Sequence, residues 1–235
     1  MKDDIKNLLV LQDKDAKIFD INSKIAAASA KIAECEKNIE MQKTLIGEFE
    51  GKVAALQSRR MSLRAGRKAA EDRILKYKTQ LLSVKKNDEY AALNAAIDKS
   101  VQEVSSFEEK ELEIMFETDE LKPKLEAEKR ERQKNIDEIN SQKNLFAEQI
   151  KNLNTALENA QIDRRAAETK VSTKFLTAYE AVLKSKKRLP VIAYVDDSRC
   201  SGCHLKISSD LETMAKLADN PVFCEHCGRL IYVYS

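Results

Sequence analysis

The sequence has no tryptophan, two histidines, five glycines and three prolines, and only 6% of its 235 residues are aromatic. A compact globular domain of this length normally uses more of each for turns and core. Only Gly47, Gly51, Gly66 and Pro123 serve residues 1–185. No run of eighteen apolar residues occurs, so no transmembrane helix is expected. The opening Met1-Lys-Asp-Asp-Ile-Lys6 lacks the apolar stretch of a signal peptide, which makes the expected location cytoplasmic. The formal net charge is +2, so bulk attraction to nucleic acid or membrane is not implied.

What is present is charge, 34% of all residues, and a long apolar period. From Ile18 the a-like positions Ile18, Ile25, Ile32, Ile39, Ile46, Val53, Arg60, Arg67, Ile74 and Leu81 recur every seven residues. The d-like positions are Ile21, Ala28, Cys35, Gln42, Phe49, Leu56, Leu63, Ala70, Tyr77 and Val84. All but Gln42, Arg60 and Arg67 are apolar, the mark of a coiled-coil seam. Cys35, at a d position, reads as a small apolar packing residue. Lys85-Lys86-Asn87-Asp88 interrupts the pattern. A second series starts at Tyr90, Leu93 and Ile97 and runs, with at least one phase slip, through Ile150, Leu157 and Val171. Pro123 is expected to bend or briefly break this second arm.

Charge predicts how the arms pair. Residues 59–86 carry ten basic residues against Glu71 and Asp72, a net of +8. Residues 88–120 carry eleven acidic residues against Lys99 and Lys110, a net of −9. Folding back near residues 86–88 lays these segments against each other, with residues i and j opposed when i + j is roughly 174. The expected fold class is therefore mainly α: a long antiparallel coiled-coil hairpin over 1–188, followed by a small α+β domain over 189–235. Lys184 to Arg188 is expected to end the second arm before Pro190.

Beyond Arg188 the composition changes. Val191-Ile-Ala-Tyr-Val195 reads as a strand, and Arg229-Leu-Ile-Tyr-Val-Tyr234 as a closing strand. Ser209-x-x-Glu212 reads as a capping box for a helix to about Leu217. Cys200-Ser-Gly-Cys203 and Cys224-Glu-His-Cys227 frame the domain. Two thiolates two residues apart reach one ion from a tight turn, and two such turns complete a tetrahedron. This predicts one structural zinc ion on Cys200, Cys203, Cys224 and Cys227, with Gly202 and Gly228 relieving Cβ strain around the sulfurs. Redox or disulfide pairs are the competing reading, but the βαβ context of a thioredoxin-like site is missing. Four cysteines satisfy the ion, so His204 and His226 are read as non-ligands. With so small a core, the metal supplies much of the folding energy.

The whole chain resembles a bacterial family of C4-type zinc-ribbon proteins with an N-terminal coiled-coil hairpin. Three segments carry the resemblance: the turn Lys86-Asn-Asp-Glu-Tyr-Ala-Ala-Leu93, the knuckle Cys200-Ser-Gly-Cys203, and Cys224-Glu-His-Cys227-Gly-Arg-Leu-Ile-Tyr232. Glu225 stands where the family pattern usually has proline. The resemblance implies a non-enzymatic bacterial cytoplasmic protein. It also implies links to flagellar or type III secretion and to alternative-sigma-factor-dependent transcription, through protein contacts and RNA.

The residues agree on the absence of an enzyme: there is no Gly-rich phosphate loop, no cluster of histidines and carboxylates, and no nucleophile signature. An interaction scaffold or regulatory adaptor with protein partners is the leading expectation. The alternative is nucleic-acid binding through the ribbon. Lys184, Lys186, Lys187, Arg188, Arg199, Lys206 and Arg229 would face phosphates, and Tyr194, Phe223, Tyr232 and Tyr234 would stack on bases. Against it, residues 186–235 hold seven basic and six acidic residues, and a four-thiolate zinc adds negative charge.

Overall fold

The computed structural model describes residues 3–186 and 189–234, Lys186 by its backbone alone. Two long helices dominate, α1 (Asp3–Leu81) and α2 (Asn87–Glu168). A short helix α3 (Thr173–Lys186) follows. The C-terminal part holds strands β1 (Ile192–Asp196) and β2 (Arg199–Cys200), helix α4 (Ser209–Leu217) and strand β3 (Leu230–Val233). The fold is mainly α with a small sheet, as expected. The chain divides into two compact units, residues 34–142 and residues 1–33 with 143–235.

Every seam position named in α1 from Ile18 to Leu81 is buried or half-buried, while the residues between them, Leu45 and Gly66 aside, are exposed. The seven-residue spacing therefore identifies the shielded stripe of this helix.

In the unit 34–142, α1 and α2 run antiparallel with the expected complementarity of charge. Glu111 accepts from Arg60 and approaches Arg64 (3.4 and 3.2 Å), Arg67 reaches Glu108 (3.4 Å), and Arg73 pairs with Glu103. Lys129 meets Glu50, and Arg132 donates to Gln42 (3.0 Å). Index sums of these pairs run from 171 to 179, around the expected 174. The more exposed of these pairs, Arg67–Glu108 and Arg73–Glu103, contribute little stability each. Their weight lies in rejecting other registers. Gly66 lets the Phe107 ring lie against the α1 backbone, since a Cβ there would sit 2.8 Å from Cζ.

Three expectations change here. The connection lies at residues 82–86, just before the predicted turn, because α1 ends at Leu81 and α2 already starts at Asn87. Tyr90 is exposed rather than part of the packed series. Pro123 does not interrupt α2. A proline inside a helix removes its own N–H bond to the carbonyl four residues back, here Asp119, and the flanking turns carry the helix through.

In the other unit, residues 3–33 pack against 143–186 and the C-terminal sheet. The second arm breaks at residues 169–172, which the apolar period had carried straight through. Side chains of α1 occupy the backbone groups the break frees. Asp4 Oδ1 accepts the Ser172 N–H (2.9 Å), and Asn7 Nδ2 donates to the Lys170 carbonyl (2.8 Å). Leu8 is fully buried and Leu9 packs against the same core. Val10, next to them, is half exposed.

This core joins helices to sheet. Ile5, Leu8 and Leu11 of α1 and Phe175, Tyr179 and Val182 of α3 bury against Val191, Ile192, Leu230 and Tyr232. Gln12 fastens the junction, its Oε1 accepting the N–H groups of both Val191 (2.6 Å) and Ile192 (2.8 Å).

Candidate metal centre

The sheet has the order β2-β1-β3, with β1 and β2 antiparallel and β1 and β3 parallel. Asp197 and Ser198, both with positive φ (46° and 54°), form the two-residue turn from β1 to β2. That backbone is the hairpin turn whose twist suits paired strands. It delivers Cys200 directly from the end of β2.

The two knuckles are backbone copies of each other. His204 N–H donates to the Cys200 carbonyl (2.7 Å) and Gly228 N–H to the Cys224 carbonyl (2.8 Å). Cys200 N–H donates to Leu205 O (3.0 Å) and Cys224 N–H to Arg229 O (2.8 Å). Each knuckle needs a left-handed residue directly after its second cysteine. Gly228 fills that place at φ 66°, as expected, and His204 fills it at φ 63°. Glycine adopts this backbone freely, and other residues pay a steric cost of about 1 kcal/mol. His204→Gly is thus expected to raise ribbon stability by roughly 0.5–1 kcal/mol, read as slower zinc loss to a chelator.

Gly202 has a different reason from the one sequence suggested. A Cβ there would lie 2.6 Å from Cδ of Arg229, whose side chain crosses the first knuckle. Arg229 Nε donates to Pro190 O (2.8 Å) and Nη1 to Gly202 O (3.1 Å). Gly202→Ala must displace this brace, at an expected cost of about 1–2 kcal/mol. Thermal unfolding of the zinc-loaded protein reads it out. Unchanged stability would show that the guanidinium moves aside freely.

The four sulfurs converge within 4.8 Å of one another. Cys200 and Cys227 Sγ lie 3.8 Å apart, as do Cys203 and Cys224. Four thiolates at about 2.3 Å from one tetrahedral ion would stand about 3.8 Å apart, whereas a disulfide needs about 2.05 Å. The donor set fits one zinc ion, and with four protein ligands the ion has no open position. Residues 199–231 match the family model of the C4-type zinc ribbon domain.

No curated protein matches the chain. Among solved structures it is similar to CT398 from Chlamydia trachomatis, at 22% identity and a TM-score of 0.86 over 99% of this chain and 98% of that one. It is also similar to the HP0958 protein from Helicobacter pylori, at 17% identity and 0.58 over 98% and 97%. A Mycobacterium smegmatis protein matches at 17% and 0.59 over 95% and 97%. At these identities the likeness is one of fold.

In the folded ribbon, burial opposes ionisation of the thiols. It pushes the Cys200 thiol up to about 12 and raises that of Cys224. Burial also opposes ionisation of Cys227, but the Arg229 backbone N–H and guanidinium outweigh it and bring this thiol down to about 7. Zinc binds thiolates, so uptake at neutral pH must expel at least the protons of Cys200 and Cys224. Acid competes with the metal, and apparent affinity is expected to fall by about 100-fold or more for each pH unit below neutral. Proton release in weakly buffered solution measures this directly, and release of fewer than two protons per zinc would contradict it.

Of the remaining predicted site residues, Arg199 and Lys206 face each other across an antiparallel β-bridge. His226 turns away, its Nε2–H donating to the Lys206 carbonyl (2.9 Å). Arg199 Nη1 donates to His204 O (3.3 Å), and Arg229 serves the knuckle. Lys184 and Lys206 are exposed. Lys187 and Arg188 lie outside the described residues, as does the Lys186 side chain. Tyr232 is buried, while Tyr194, Phe223 and Tyr234 keep exposed faces, with Tyr234 against both other tyrosines at 5.7 and 5.1 Å. The predicted capping box is absent. Ser208 is the N-cap of α4 without a side-chain bond, and Glu212 instead accepts from Ser198 Oγ (2.7 Å). Glu225, in the place of the usual proline, accepts the Ser208 N–H (3.2 Å) and so serves the start of α4 itself. Sequence reasoning missed Gln12 and Asp15, which tie α1 to the sheet and to α3.

Proposed function

We propose that this chain is a non-enzymatic, zinc-stabilised scaffold that binds protein partners. The observation that carries the reading is the closed donor set: four sulfurs at tetrahedral spacing leave zinc no position for water or substrate, which suits a structural ion. The ribbon is fixed to α1 and α3 through a common core, so it forms a rigid head. Its surface carries exposed Leu205, Met214, Leu217 and Phe223. Apolar side chains of this kind, when held rigid, supply the anchors of protein interfaces. The flagellar, type III secretion and sigma-factor links implied by resemblance gain no added support from these residues and are not part of the proposal. Among the described residues, no helix is long and apolar enough to cross a membrane.

Affinity capture from native extract with the full chain tests the reading, with Met214→Asp and Leu217→Asp combined as the control. A protein that survives nuclease treatment, is lost with the control, and binds the purified chain directly supports the scaffold. Loss of all captured material on nuclease treatment would favour the nucleic-acid reading, in which Lys184, Arg199 and Lys206 meet phosphates and the Tyr194 and Tyr234 rings stack on bases.

A further inference from the structure

The unit 34–142 has one side face with a pattern that its own fold uses only at Arg64 and Glu108, through their pairs with Glu111 and Arg67. On α1 the residues Met61, Arg64, Lys68, Leu75 and Lys78 follow helix-neighbour spacings of three, four or seven, and so form one stripe. On α2 the same spacings join Val101, Glu108, Leu112, Met115 and Phe116. The two stripes lie on the same side, because Arg64, Glu108, Leu112 and Met115 line one shared groove. Met61 is 72% exposed, Leu75 67% and Phe116 71%, with Val101 and Leu112 about half exposed. The other faces of this unit carry no comparable series.

We propose that this face binds a second copy of the chain, with the two-fold axis running along the helices of the unit. The Arg64–Glu111 and Arg67–Glu108 pairs set the levels: residues of α1 and α2 stand side by side when their numbers sum to about 175. Met61 is therefore level with Leu112 to Phe116, Lys68 with Glu108, Leu75 with Val101, and Lys78 with Asp98. A two-fold axis along the helices places α1 of one copy over α2 of the other at unchanged level. Met61 then meets Leu112 and Phe116 of the second copy, Leu75 meets Val101, and between them Lys68 meets Glu108. Apolar residues cover apolar residues, and Lys68 and Lys78 fall on Glu108 and Asp98. The alternative axis, across the helices, lays α1 on α1 and stacks like charges, which works against it. The interface is isologous, so each contact occurs twice.

The test is sedimentation of the full zinc-loaded chain and three variants whose substituted positions are exposed and lie outside the shielded stripe. The wild type is expected at twice its 26.7 kDa mass. Phe116→Arg and Lys68→Glu are each expected to weaken association by at least about tenfold without changing the far-ultraviolet spectrum. The double change Lys68→Glu with Glu108→Lys, which recreates the crossed pair, is expected to restore it. A single-chain mass at every concentration reached overturns the proposal. So does a dimer indifferent to Phe116→Arg and Lys68→Glu.

Discussion

Removing zinc, by a chelator or by Cys203→Ser, is expected to unfold the ribbon and to loosen the end of the helices packed on it. Structural zinc in a four-ligand site supplies on the order of 10 kcal/mol or more, which exceeds what so small a sheet can supply from its own core. The apolar residues proper to the ribbon are few: Ala193, Val195, Ile207, Ala215, Val222 and Ile231, with the cysteines completing the cluster. A second core, shared with α1 and α3, includes Ile192, Leu230 and Tyr232. Loss of the knuckles therefore releases cover from Leu8, Leu11 and Tyr179 as well. Hydrogen exchange reads both effects. Amides of Ile192–Val195 should lose all protection, those of residues 5–12 most of it, and those of residues 34–142 none. Persisting protection of β1 in zinc-free protein would show that the helices alone hold the sheet.

The second large effect is expected at Asp15. Its carboxylate is almost fully buried, accepting from Arg164 Nε (2.9 Å) and from the Tyr179 hydroxyl (2.8 Å). Arg164 extends the network to Glu168 (2.6 Å) and Glu180 (2.9 Å). Asp15→Ala leaves a buried phenol and part of a guanidinium without an acceptor. Breaking a buried pair on one side costs 3–5 kcal/mol, and the partial exposure of Arg164 brings the expected loss to about 3 kcal/mol. For a chain of this length that lowers the melting temperature by roughly 6–12 °C. Asp15→Asn keeps an acceptor and should cost less than half as much. A loss below about 1 kcal/mol for the alanine change would mean that water replaces the carboxylate.

The same network gives alkaline sensitivity. Burial, reinforced by the Asp15 charge, raises the Tyr179 hydroxyl well above its ordinary value of 10.0. The neutral phenol is the form that fits. Its stabilisation is complete below that ordinary value and drains away as the pH climbs above it. Tyr179→Phe should abolish this component of the alkaline transition.

How much of this could be read from sequence depended on whether one signal hid another. The α1 stripe was legible because a seven-residue spacing reports the shielded face directly. The break before α3 was not, because Val171, Phe175, Tyr179 and Val182 continue the apolar spacing across it. Only Ser172-Thr173 hints at a new helix start. The four cysteines announced their own convergence. The parallel pairing of β1 with β3 left no trace, since strand direction has no residue code. Gly202 was legible as a glycine that mattered but not for its reason, which lies in a side chain 27 positions away. Asp15 did carry a signal. It stands in phase with Leu8, Leu11 and Ile18, and an acid at an inward position requires a partner.

The glutamine that holds the first strand has a consequence for synthesis. Gln12 and its apolar neighbours Leu8 and Leu11 find their partners in β1 and β3, some 180 to 220 positions later. At 5–20 residues per second, a growing chain leaves the Leu8–Leu11 stripe without its strand cover for about 10 to 45 s. Strand β3 thus completes the cover of a stripe made some 220 positions before it. A nascent chain halted before Leu230 has only helix cover over that stripe, from residues such as Phe175 and Tyr179.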